Sequence, residues 1–164
     1  MNRREFITAA AAATLYGSAS LADTRVRDRE RLFALIAAVQ RHFFPKGLHM
    51  PDADTFNAPS YLRDAVTHSS FDPDIRDLLF EGAERFDRFC DKEFVSMSEK
   101  QRENTLRKFE ESDFGSYWLA QIMNLTLEAL LADPIYGGNT NECGWMAFEL
   151  SPGNPRPKER YCGV

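Results

Sequence analysis

The sequence predicts an all-α protein: a single helical bundle of about five helices, continued by an extended Gly/Pro/aromatic C-terminal arm. Three observations carry the prediction. Apolar residues recur at three- and four-residue spacing through most of the chain between Asp28 and Leu131, the period of a helix face turned toward a core. Alternating runs rich in Val, Ile and Thr, the mark of strands, occur nowhere in the sequence, and no repeat period is visible. Residues 133–164 instead collect Gly, Pro and Asn and lose the helical period altogether.

The first helix is expected from Asp28 to Phe44, where Leu32, Leu35, Ile36, Val39 and Phe43 form one stripe and Pro45 with Gly47 ends it. Residues 46–58, with Pro51, Asp52, Asp54 and Asn57, read as a loop. Pro59 then opens a short helix through Tyr61, Leu62, Ala65 and Val66. Asp72 caps a third helix with Pro73 at its first position. The stripe Ile75, Leu78, Leu79, Gly82, Phe86 and Phe89 lies opposite Arg76, Asp77, Glu84, Arg85 and Arg88. Ser98 with Gln101 is a capping-box pattern for a fourth helix, which has little beyond Leu106 and Phe109 to bury and so belongs at the surface. The fifth, from Tyr117 through Trp118, Ile122, Met123, Leu127 and Leu131, is apolar nearly all round, and Asp133-Pro134 stops it. Such a helix is either central to its own bundle or covered by a partner.

The first 22 residues stand outside this fold. Arg3 and Arg4 precede Phe6 and Ile7, then come a small-residue run from Ala9 to Ala19 and the closing Ser20-Leu21-Ala22. A basic start, a short apolar segment and small residues before a cut form a secretory signal. Paired arginines in the run NRREFI mark its twin-arginine variety, with cleavage after Ala22 and a periplasmic destination. The run is too short and alanine-rich to span a bilayer. The expected division is therefore a signal over residues 1–22 and one helical domain over 23–164, of which 133–164 form the irregular arm.

Removing the signal leaves 142 residues, the size of one domain with one core, and a formal balance of 18 positive against 24 negative side chains. Its cations alternate with carboxylates along helices, at Arg25 to Arg31, Arg85 and Arg88, and Arg102 to Lys108. Nucleic acid is therefore excluded as a partner, because phosphate binding needs clustered positive charge. Apolar residues make up 43% and aromatic ones 12%, with 13 Phe, enough for a folded core.

Chemistry is sparse. Cys90, Cys143 and Cys162 show no C-x-x-C or C-x-x-C-H spacing, and His42, His49 and His68 are scattered, so no metal, haem or iron–sulfur site is expected. In an oxidising compartment Cys143 and Cys162 are the candidate disulfide pair, closing a loop worth about 3 kcal/mol. Cys90 is then left as a buried inert thiol or as a link to another protein. There is no G-x-S-x-G elbow, Walker loop or G-x-G-x-x-G. Gly137-Gly138 follows a helix end rather than a strand, and Glu110-Glu111 is ordinary helix-surface charge. No catalytic, cofactor-binding or metal-binding residues are therefore assigned.

The unusual segment is DPIYGGNTNECGWMAFELSPGNPRP, residues 133–157, where turn formers interleave with Tyr136, Trp145, Met146 and Phe148. Glycines open conformations closed to other residues, and large aromatics with polar edges anchor interfaces. An arm folded back on its own bundle and a surface kept for a partner are equally compatible with this composition. Pro134, Tyr136, Gly137, Gly138, Asn139, Gly144, Trp145, Pro152 and Gly153 resemble the signature of the gluconate 2-dehydrogenase subunit 3 family, a helix ending in Pro-x-Tyr-Gly-Gly-Asn followed by Gly-Trp and Pro-Gly. The twin-arginine start and the first helix fit the same resemblance, whereas Cys143 has no counterpart in it.

The resemblance implies a small accessory subunit of a membrane-associated periplasmic complex. Its partners would be a large flavin-dependent dehydrogenase of the glucose–methanol–choline type, carrying FAD, and a c-type cytochrome subunit carrying haem c. A chain with no cofactor of its own has no need of an exporter of folded proteins, but a signal-less flavoprotein attached to it does. The expected function is then to stabilise that flavoprotein and carry it to the twin-arginine translocation machinery. Trp118 and Ile122 of the fifth helix, with Pro134, Tyr136, Gly137, Gly138, Asn139, Gly144 and Trp145, are the expected partner-binding residues. Two other readings stay open: an enzyme with a dispersed site such as His42, His68 and Glu128, and a free-standing helical ligand-binding protein.

Overall fold

The computed structural model describes residues 25–47 and 49–160. The signal residues Arg3, Arg4, Phe6 and Ala22, and Cys162 of the expected disulfide, lie outside them. The chain divides into two compact units, residues 1–32 and 33–164. The first contributes only helical residues 25–32 to the described part.

The described residues hold six α-helices and no strand. Helix α1 covers residues 25–43. Helices α2 (Ala58–Thr67), α3 (Pro73–Phe89), α4 (Glu99–Glu110), α5 (Asp113–Leu131) and α6 (Cys143–Ala147) follow, with 3₁₀ turns at Phe94–Ser96, Pro134–Tyr136 and Thr140–Glu142. The ends are set by the residues the sequence marks. The Asp72 side chain accepts from the Asp74 and Ile75 amides with Pro73 in the first turn of α3, and Ser98 and Gln101 close a reciprocal capping box on α4. Helix α5 starts four residues before the expected Tyr117, because Ser112 caps it through the Gly115 amide.

Helix α5 is the hub, packed against α2, α3, α4 and α6. On one side Trp118, fully buried, meets Phe86 at 5.4 Å and Phe109 at 5.7 Å, and Phe86 in turn meets Phe94 at 5.1 Å. This cluster joins α3, α4, α5 and the turn at Phe94. Gly82 makes room for it, since a Cβ there would fall on the indole ring. The indole N–H donates to the Leu79 carbonyl at 3.0 Å, which satisfies the one polar atom of the buried ring. On the other side Phe44, Ala53, Phe56 and Ala58 pack on Ala129 and Leu130. Gln40, also fully buried, donates to the Thr126 hydroxyl at 3.1 Å and ties α1 to α5.

Candidate functional site

The segment after α5 is a latch rather than a free arm. Its first turn is capped by Asp133, whose carboxylate accepts from the Ile135 amide. The chain then reverses through left-handed residues, with φ of 95° at Gly137, 45° at Asn139, 55° at Asn141 and 59° at Glu142, conformations that Gly and Asn adopt most readily. The reversal brings Asn139, fully buried, under the C-terminus of α5. Its backbone N–H donates to the Ala129 carbonyl, its side-chain amide donates to the Ala132 carbonyl at 3.0 Å, and its side-chain oxygen accepts from the Gly144 N–H at 2.8 Å. The Trp145 indole donates to the Leu131 carbonyl at 2.7 Å. Three carbonyls at a helix end, which would otherwise lack partners, are thus satisfied by the tail.

Close packing explains two of the glycines. A Cβ on Gly138 would fall on the Ala129 carbonyl, and one on Gly144 on the Leu130 carbonyl. Asn57 donates to the Gly137 carbonyl at 2.7 Å and joins the latch to the loop before α2. Arg156 bridges Asp133 at 2.8 Å and Glu142 at 2.6 Å and lies over the Trp145 ring. Arg160 reaches Asp64 and the Tyr136 carbonyl. The arm expected over 133–164 is therefore structured through Ala147, and only residues 148–160 run without a helix.

This geometry divides the expected partner-binding residues. Trp118 and Ile122 are fully buried within their own bundle and have no surface to give another chain. Gly138, Asn139, Gly144 and Trp145 are buried in the latch, and Pro134, Tyr136 and Gly137 are half-buried. The surface lies elsewhere. Tyr117, Leu127 and Leu131 are 52%, 38% and 40% exposed, and Met146 on α6 is exposed, as are Phe148 and Leu150 after it. With Ala120 and Asn124 the three α5 residues form a stripe about 20 Å long, at 1.5 Å per residue, whose single charge is Glu128. A shallow groove lined by Tyr61, Asn124, Leu127, Glu128 and Leu131 runs along it. Sequence reasoning missed this face because α5 is apolar all round, although Gln121, Asn124 and Glu128 mark its outward side.

His42, His68 and Glu128 do not converge. His42 meets Glu103 at 2.8 Å, His68 meets the Ser70 hydroxyl at 2.7 Å, and Glu128 receives a 3.4 Å bond from Tyr61. His49 is exposed in the loop after α1. Among the described residues no group of three or more His, Cys, Asp or Glu side chains could hold a metal. Cys143 is half-buried and unbridged among the described residues, and Cys162, its expected partner, lies outside them. Cys90, half-buried and also free, has its thiol pushed up to about 11 by burial and by the Asp87 and Asp91 carboxylates, so it stays protonated and unreactive at neutral pH.

The His42–Glu103 pair joins α1 to α4 and makes stability depend on pH. A hydrogen bond from His42, then one from Arg107, holds the Glu103 carboxyl below its ordinary range. A lowered folded pKa gives a contribution that is whole above the unfolded glutamate value, about 4.3. It is lost as pH falls through the lower folded value. His42→Ala removes the larger cause, so urea midpoints measured from about pH 5 to about pH 3 should fall less steeply for the variant than for the wild type. Equal slopes would show that the pair does not couple to folding.

A family model described as gluconate 2-dehydrogenase subunit 3 matches residues 30–153, which include helices α2 to α6 and the whole latch. No curated protein and no solved structure matches the chain. Among the described residues no helix is long and apolar enough to cross a membrane.

Proposed function

The chain belongs to the gluconate 2-dehydrogenase subunit 3 family, and we propose that it is the small accessory subunit of a periplasmic dehydrogenase complex whose large subunit carries FAD and performs the oxidation. A c-type cytochrome subunit completes the complex and passes the electrons on. The small chain stabilises the flavoprotein and, through Arg3 and Arg4, carries it across the membrane by the twin-arginine route.

The observation that carries this reading is the outer face of α5. Helices α3 and α4 cover their exteriors with ion pairs four residues apart, Arg85 with Glu81 and Arg107 with Glu103. Helix α5 instead turns Tyr117, Leu127 and Leu131 outward across four turns with one charge. A continuous face with a single charge on the hub of a small acidic protein is the kind of surface that a partner covers. Met146 on α6 and Phe148 after it are exposed too and add apolar surface.

The test is co-expression of the full chain with the flavoprotein subunit, followed by fractionation and affinity capture. The intact chain is expected to deliver dehydrogenase activity to the periplasm. Deleting residues 1–22 should strand it in the cytoplasm, and Leu131→Glu should abolish co-purification while the variant keeps its helical spectrum. Periplasmic activity surviving the deletion would sink the carrier role, and undiminished capture by Leu131→Glu would move the interface off α5.

A further inference from the structure

A second cleft, of about 470 Å³, opens where α1, α4 and α5 meet and shares no lining residue with the groove along Leu127 and Leu131. Its volume lies in the range of small-molecule sites, about 300–1,000 Å³, most of which combine an apolar floor with a few convergent polar groups. The floor here is Phe43, Leu106, Leu119 and Met123. One wall is a chain of charged groups: His42 bonds Glu103 at 2.8 Å, Arg107 bonds the other Glu103 oxygen at 2.8 Å, and Arg107 approaches Glu110 at 3.6 Å.

Two features set this wall apart from ordinary surface charge. The His42 side chain is nine-tenths buried, and its hydrogen bond fixes a carboxylate at the mouth of an apolar hollow. The lining also carries two carboxylates, Glu103 and Glu110, against the single permanent cation Arg107, so it repels anions and accepts hydrogen bonds. Glu99 and Lys100, which line the adjoining hollow with His42 and Glu103, cancel each other. Met123 at the floor adds a sulfur, which favours the edge of an aromatic ring.

We propose that this cleft binds a small aromatic molecule bearing a neutral or cationic hydrogen-bond donor, a phenol or an arylalkylamine. The ring lies on Phe43, Leu106 and Met123, and its donor reaches the carboxylates of Glu103 and Glu110. The site is distinct from the groove along Leu127 and Leu131 and shares only Ala120 with the outer stripe of α5.

The experiment is saturation-transfer NMR on the full chain with three probes of similar size: 4-ethylphenol, tyramine and 4-ethylbenzoate. The phenol and the amine are expected to bind saturably and the benzoate not at all. Ala120→Trp, which fills the mouth of the cleft from α5, should abolish binding, while Leu127→Trp in the other groove should leave it unchanged. If Ala120→Trp fails to fold by circular dichroism, Glu110→Gln provides the second variant. It should weaken tyramine about tenfold, the loss of one charge-assisted bond. Equal binding of the benzoate, binding untouched by the cleft variants, or no saturable binding of any probe would overturn the proposal.

Discussion

Trp118→Ala is expected to remove about 3–5 kcal/mol of stability, the cost of truncating a large aromatic side chain in a closed core. The indole has no exposed surface, meets Phe109 edge-on and Phe86 at a tilt, and satisfies its N–H on the Leu79 carbonyl. Gly82 sits against the ring and has no side chain to extend into the space that truncation would empty. Helices α3 and α4 both meet α5 through this cluster, and the loss spreads to Phe94 through Phe86. Thermal unfolding followed by near-ultraviolet circular dichroism should show a midpoint lowered by about 10 °C or more. The neighbouring Tyr117→Ala, at a side chain 52% exposed, serves as the control and should cost less than about 1 kcal/mol. A Trp118 variant as stable as the Tyr117 variant would contradict the packing described.

Asn139→Ala should cost about 3 kcal/mol, by a different route. The side chain bridges the Ala132 carbonyl and the Gly144 amide, and its loss leaves both without their partner beneath α5. Each unsatisfied buried group costs about 1–3 kcal/mol. Alanine is also strained at φ 45°, where asparagine is tolerated. The damage should stay local: the latch opens and α6 detaches before the bundle unfolds. Amide exchange at Gly144 and Phe148 would accelerate far more than at Ala83 in α3. Asn139→Gly separates the two contributions, because it accepts the left-handed backbone but restores neither side-chain bond. Protection at Gly144 equal to wild type in Asn139→Gly would show that the backbone turn alone holds the latch.

These two residues also divide what is legible in a sequence from what is not. The caps at Asp72 and Ser98 could be read directly, because a cap is a local device whose partner amides lie two or three residues away. The stripes of α1 to α4 were legible for a similar reason, since a helix with charge on one side shows which side is wet, although Phe89, at the last position of α3, is 45% exposed rather than packed inside. Helix α5 has no such contrast. Its fully buried Trp118 and Ile122 and its exposed Leu127 and Leu131 are all large and apolar, and only the neighbouring helices select among them. The start of α5 at Asp113 was missed because the Ser112 cap stands directly after α4, with no loop to separate them. Cys143 packs against the Phe44–Phe56 cluster, a neighbourhood that no spacing along the chain shows.

The sequence by itself determined the helical class, most helix boundaries, the family and the segment that carries its signature, because those follow from neighbours a few residues apart. Tertiary structure decided what the signature is for. Asn57 and Gly137 are 80 residues apart yet share a hydrogen bond, and Gly138 and Gly144 are small because the carbonyls of Ala129 and Leu130 stand against them. It also decided which side of α5 faces water and placed His42 beside Glu103, 61 residues away. Such contacts depend on how helices stack, and a pattern read along one chain contains spacing but not the direction from which the next helix arrives.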